Sequence, residues 1–145
     1  MTKKILLAAL SMFILKTSSF GQACTPDPQY TNPSTQRGIY PDTLTNFAPA
    51  YVGSSYSQTI TIVIPPDTSV WPLTFPWDST VLTGVTGLPS SLTYSCWNTS
   101  TKPNRCSWKG NSIGCAIITG TPITSDIGTH ILQFSTNNYL GGAGN

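Results

Sequence analysis

Apolar and polar positions alternate most regularly over residues 55–64. Tyr56, Gln58, Ile60, Ile62 and Ile64 share one face, and Ser57, Thr59, Thr61 and Val63 share the other. Period-two alternation with β-branched residues predicts a half-buried strand, which Pro65-Pro66 ends. Two shorter apolar runs, 91–96 and 115–119, are bounded by Gly or Pro and carry Cys96 and Cys115 at the ends that face each other. They predict an antiparallel pair with a long irregular connection, its flanking turns set by Gly87-Leu88-Pro89 and Gly120-Thr121-Pro122. A further strand region covers 77–86, with Val81, Thr83 and Val85 alternating against Leu82. The last strand covers 130–136, with Leu132 and Phe134 opposite Ile131, Gln133 and Ser135. Residues 47–53 form an apolar lead-in, and 67–76 read as a connection with at most a short extended piece.

The two ends of the chain differ from this pattern. Lys3 and Lys4 precede an apolar run, 5–15, too short to span a bilayer, and Gly21-Gln22-Ala23 offers small residues for cleavage. Residues 1–23 therefore read as a secretory signal peptide. Residues 24–46 hold four prolines among small polar residues and form an extended arm, with Ile39 and Tyr40 docking on a sheet edge. Residues 47–145 make the domain. Short strands, frequent turns and no amphipathic helix predict an all-β, immunoglobulin-like antiparallel β-sandwich. Five or six strands are visible where about seven are needed, and Gly141-Gly142-Ala143-Gly144 reads as a turn into a further strand. The expectation is a sandwich lacking its last strand, in a fragment of a longer chain.

Charge narrows the function. The whole chain carries a net +2, but the signal peptide holds Lys3, Lys4 and Lys16. The remainder sets Arg37, Lys102, Arg105 and Lys109 against five aspartates and no glutamate, a net −1. Nucleic-acid binding is not expected from so sparse a positive field.

Four cysteines, Cys24, Cys96, Cys106 and Cys115, remain after cleavage, an even number that implies two disulfides in an exported chain. The expected pairing is Cys96 with Cys115 across the strand pair, leaving Cys24 to join Cys106. The rival is a loop staple, Cys96 with Cys106 or Cys106 with Cys115. The spacings fit no zinc pattern.

Candidate chemistry is thin. His130 is the one histidine and reads as a polar edge residue; no Gly-x-Ser-x-Gly elbow occurs, and scattered aspartates make a paired-carboxylate site improbable. The chain is expected to be non-enzymatic and to need no cofactor. Asp67, Asp78 and Asp126 fall in or beside loops, yet without the clustering a calcium site requires, so no metal site is expected. The best candidate surface is the loop 97–114, where Trp97 and Trp108 stand among Lys102, Arg105 and Lys109. Indole faces stack on sugar rings, and the cations would hold an anionic glycan or carboxylate; Trp71 and Trp77 are candidates to join them. The alternative is that these tryptophans cover the sandwich ends and the disulfide. Cys24 directly after Ala23 also raises membrane anchorage through a lipidated cysteine, although Gly21 stands where such sites usually carry Leu.

GLPSSLTYS followed by ITGTPITSDIGTHILQFS resembles the immunoglobulin-like repeat common in bacterial surface proteins. The matching positions are Gly87, Leu88, Pro89, Leu92, Tyr94, Gly120, Thr121, Pro122 and Gly128, with His130 where an aromatic is usual. CTPDPQYT, AYVGSSYSQTITIVIPPDT and TGVTGLPSSLTYSC resemble a group of secreted Bacteroidota proteins, many of which end in a type IX secretion sorting domain. The resemblance implies a β-sandwich module at the cell surface or outside the cell, acting as a spacer or adhesion element. A surface glycan or another envelope protein is the expected partner. It implies no established activity.

Overall fold

The computed structural model describes residues 24–97 and 106–141. The expected signal peptide lies outside them, as do Lys102 and Arg105. Eight strands follow in chain order: β1 (Gly38–Tyr40), β2 (Tyr56–Ile64), β3 (Asp67–Val70), β4 (Leu73–Thr86), β5 (Leu92–Trp97), β6 (Cys106–Lys109), β7 (Ser112–Gly120) and β8 (Gln133–Leu140). They form two antiparallel four-stranded sheets packed into a β-sandwich. The first runs β1-β2-β7-β5, and in the second β3, β6 and β8 all pair with β4. The first order is the A-B-E-D arrangement of an immunoglobulin constant-type sheet, and β4 and β8 are neighbours as C and F are in that fold. Among the described residues no strand pairs with the other edge of β8, the place of the seventh immunoglobulin strand.

The count of eight exceeds the five or six expected because three short strands were hidden. β1 docks on β2 with Ile39 opposite Ile62, as the arm's apolar pair suggested. β3 folds back on β4 with Val70 opposite Leu73, so residues 67–76 form a hairpin instead of a connection. β6 lies inside the stretch read as an irregular loop and crosses to the second sheet.

β2 places Ile60, Ile62 and Ile64 inside, against Ala116 and Ile118 of β7, Leu92 of β5, Leu82 of β4 and Trp108 of β6. The two-residue period explains the choice, since side chains of one parity meet the facing sheet. β4 breaks the period twice, with register shifts at Asp78 and Thr83 against β8. Such bulges re-aim the side chains beyond them. Leu82 and Val85, three apart, thus both pack on the core, and Trp77 reaches Thr80 through an Nε1–H bond to Oγ1 of 2.9 Å.

The outer face of β2 is also covered. Thr61 and Val63 are buried, and Asp27 N–H donates to Thr61 Oγ1 at 2.8 Å. The arm from Cys24 lies over the first sheet, which turns the expected half-buried strand into one buried on both faces over its second half.

Cysteine pairing departs from the expected one. Cys24 bonds Cys115, and Cys96 bonds Cys106. Register explains why Cys96 cannot reach Cys115. Cys96 stands opposite Ala116, and Cys115 opposite Trp97. Neighbouring positions on a strand point to opposite faces, so Cys96 looks inward and Cys115 outward, toward the arm. Cys96–Cys106, the loop staple, joins β5 of one sheet to β6 of the other.

Candidate functional site

The aromatic-basic loop surface does not assemble as expected. Trp108 alternates inward with Cys106 along β6 and is 1 % exposed, the largest of the fully buried side chains. Gly114 of β7 makes room for it, since a Cβ there would overlap the indole. Trp97 has the parity of Cys115, faces outward and is 51 % exposed. The two tryptophans therefore lie on opposite faces of the first sheet and form no common platform. Lys109 is exposed, while Lys102 and Arg105 fall outside the described residues. Trp77 is half-buried, and Trp71 stands 93 % exposed at the tip of the β3–β4 hairpin, flanked by exposed Val70 and Leu73.

Cys24 carries its sulfur in the bond to Cys115, so that atom is not free to form the thioether of a lipid anchor. Asp67, Asp78 and Asp126 do not meet, and among the described residues no three His, Cys, Asp or Glu side chains converge on a metal-sized space.

Ser91, Asp126 and His130 do come together, but not as a catalytic relay. Ser91 Oγ donates to Asp126 Oδ2, Ile123 N–H donates to the same oxygen at 3.0 Å, and His130 Nε2 lies 2.9 Å from the Asp126 carbonyl oxygen. A nucleophile needs its base within hydrogen-bond reach, and here the serine hydroxyl turns to the carboxylate while histidine holds backbone. The Ile123 N–H, then the Ser91 hydroxyl, hold the Asp126 carboxyl below the usual carboxylate range. His130 adds to them, and partial burial works against them. This cluster ties the loop after β7 to the turn before β5.

Besides a cavity of about 630 Å³ lined by Phe47, Tyr56, Leu88, Leu92 and Leu132 beside Asp126 and His130, two more are candidate sites among the described residues. A polar cleft of about 470 Å³ lies under the arm, between Asp27, Tyr30, Tyr40, Asn46 and the outer face of β2. Tyr30 and Tyr40 stack in it at 3.9 Å, Asp27 already accepts from Gln29, and Gln58 is bonded to Ala48 N and Thr59 O. Most of its polar groups thus serve the arm. The second is an apolar groove of about 300 Å³ between β1–β2 and β4–β8, lined by Ile39, Ile62, Ile64, Leu82 and Trp108 with Thr136 and Asn138 on its rim.

Compared with family models, curated proteins and solved structures, the chain gives no match in any of the three. The site residues that sequence reasoning missed are those of the groove. Their signal was present in the strand count: among the described residues no strand lies beyond β8, and the gap between the sheets is open on that side.

Proposed function

We propose that this chain is a non-enzymatic, exported β-sandwich module that serves as a spacer or adhesion element at the cell surface. The carrying observation is the pair of disulfides, one fixing the arm to the sheet and one fixing sheet to sheet. Such bonds belong to an oxidising compartment outside the cytoplasm. No helix among the described residues is long and apolar enough to cross a membrane. The Gly-Leu-Pro and Gly-Thr-Pro turns and the A-B-E-D strand order support the likeness to immunoglobulin-like surface repeats. Glycan binding through Trp97 and Trp108 loses its basis with Trp108 buried.

The deciding experiment is fractionation of cells producing the native protein, with surface protease treatment and intact mass before and after reduction. The expected result is a protease-accessible or released chain that begins at Cys24. It should gain about 4 Da on reduction, two hydrogens for each disulfide. A cytoplasmic chain with free thiols would overturn the reading.

A further inference from the structure

One end of the sandwich holds the third cavity, and the fixed charge on its lining is of one sign. This is the end where β2 and β5 begin and β7 finishes, with Tyr56 and Leu92 both opposite Gly120. Buried Leu92 and Ile118 line the cavity together with Phe47, Tyr56, Leu88 and Leu132. Its loop wall is tied in place. Gly53 N–H donates to the Pro122 carbonyl at 2.9 Å. Ala48 N–H donates to Gln58 Oε1 at 3.1 Å, and the Tyr56 hydroxyl to the Ala48 carbonyl at 3.0 Å. The space of about 630 Å³ falls within the range of small-molecule sites, which are mostly apolar and largely formed before the ligand arrives.

Asp126 and His130 line this cavity, and no Lys or Arg does. Asp126 Oδ2 accepts from the Ile123 N–H and the Ser91 hydroxyl, bonds that favour the ionised carboxylate. Among the described residues nothing donates to its Oδ1. His130 Nε2 lies 2.9 Å from the Asp126 carbonyl oxygen. A carbonyl oxygen only accepts, so Nε2 carries the proton and Nδ1 of the neutral ring is an acceptor. Apolar walls thus stand beside two acceptors, one of them charged.

We propose that this cavity binds a small amphiphilic amine, its protonated amino group donating to Asp126 Oδ1 with His130 Nδ1 as a second acceptor, and its apolar body among Phe47, Leu88 and Leu132. An ammonium brings donors and no acceptor, which matches two acceptors with no competing cation. Its bond to the carboxylate is charge-assisted and so stronger than a neutral one. A carboxylate or phosphate would meet Asp126 with like charge and find no Lys or Arg in the lining. A neutral molecule of the same shape would bury its apolar body but leave the ion pair unmade.

The test titrates the purified full chain at neutral pH with phenethylamine, phenethyl alcohol and hydrocinnamate, read by calorimetry and by backbone amide shifts. The three probes share a phenylethyl body and differ in the charge of the head group. The amine should bind saturably, one per chain, with shifts at Leu92, Ile127 and Leu132. The alcohol should bind at least tenfold more weakly, and the carboxylate not measurably. Molar salt should weaken amine binding severalfold and leave alcohol binding undiminished, since screening acts on the ion pair. Asp126→Asn keeps an oxygen for the Ile123 N–H and the Ser91 hydroxyl but removes the charge. Amine affinity should then fall at least tenfold while that of the alcohol stays, in protein whose circular dichroism is unchanged. If this variant does not fold, the salt dependence and the three head groups decide on the unaltered chain. No saturable amine binding, equal affinities of amine and alcohol, shifts that spare the cavity, or full amine affinity in folded Asp126→Asn overturns the proposal.

Discussion

Trp108 donates its indole N–H to the backbone carbonyl of Trp97 at 2.8 Å, joining β6 of the second sheet to β5 of the first. The bond lies beside the Cys96–Cys106 link, so one edge of the sandwich is closed by covalent, polar and apolar contacts together. Truncating Trp108 to Ala should cost about 3–5 kcal/mol, the usual range for a buried aromatic. Gly114→Ala should cost about 1–3 kcal/mol, because its new methyl overlaps the indole. Urea unfolding of each variant measures both.

The two disulfides should differ in worth. Cys24 and Cys115 are 91 residues apart in sequence and Cys96 and Cys106 are 10 apart. Loop-closure entropy then assigns about 4–5 kcal/mol to the first and about 2–3 to the second. Paired Cys→Ala variants, unfolded in urea without reductant, should rank in that order. Equal losses would show that strand packing, not loop length, sets their contribution.

Thr80 is a buried relay: it accepts from Trp77 Nε1 at 2.9 Å and donates to Asn138 Oδ1 at 3.0 Å. Thr80→Val keeps the shape and strips both bonds. A loss of about 1–3 kcal/mol is expected from the stranded partners, while Thr80→Ser, which retains the hydroxyl, should lose less. Thermal melts of the two variants side by side give the comparison.

Asp126 should make the loop after β7 sensitive to acid. Its carboxyl is held below the usual range by the Ile123 N–H, the Ser91 hydroxyl and His130. A lowered folded value means that the carboxylate's contribution is fully present above the ordinary value of about 4 and is lost as pH falls through the folded one. Asp42, held down by the backbone and hydroxyl of Thr45, acts with the same sign in the arm. Carboxyl titration by NMR should show both midpoints below the ordinary value. Asp126→Asn should remove the acid-dependent change at Ser91 and leave that at Thr45.

Much of the sandwich was legible where a strand has one wet face or a strong apolar run. The inward set of β2 and the placing of Leu132 and Phe134 follow from period two alone. β6 escaped because four residues, Cys106-Ser107-Trp108-Lys109, give too short a period to stand out from a polar stretch, although Cys and Trp alternate there with Ser and Lys. The burial of Thr61 and Val63 was not legible, since the arm that covers them shows no apolar periodicity of its own. Cysteine pairing depends on register parity, which single-sequence patterns do not fix: one residue of slip decides whether Cys115 meets Cys96 or Cys24. The candidate loop was misread for a related reason. Whether a tryptophan faces water or core is decided by the strand partner it acquires, and Trp108 acquired β4.

The bond from Cys24 to Cys115 also has a mechanical meaning. A pull applied between Cys24 and Gly141 enters β7 directly through sulfur, so residues 25–114 lie off the load path. Even if every strand in the remaining path gave way, the chain would lengthen only to the span of residues 115–141, roughly 90 Å when fully drawn out. While that disulfide holds, the described domain lengthens by no more than this fixed increment, and residues 25–114 stay outside the covalent path.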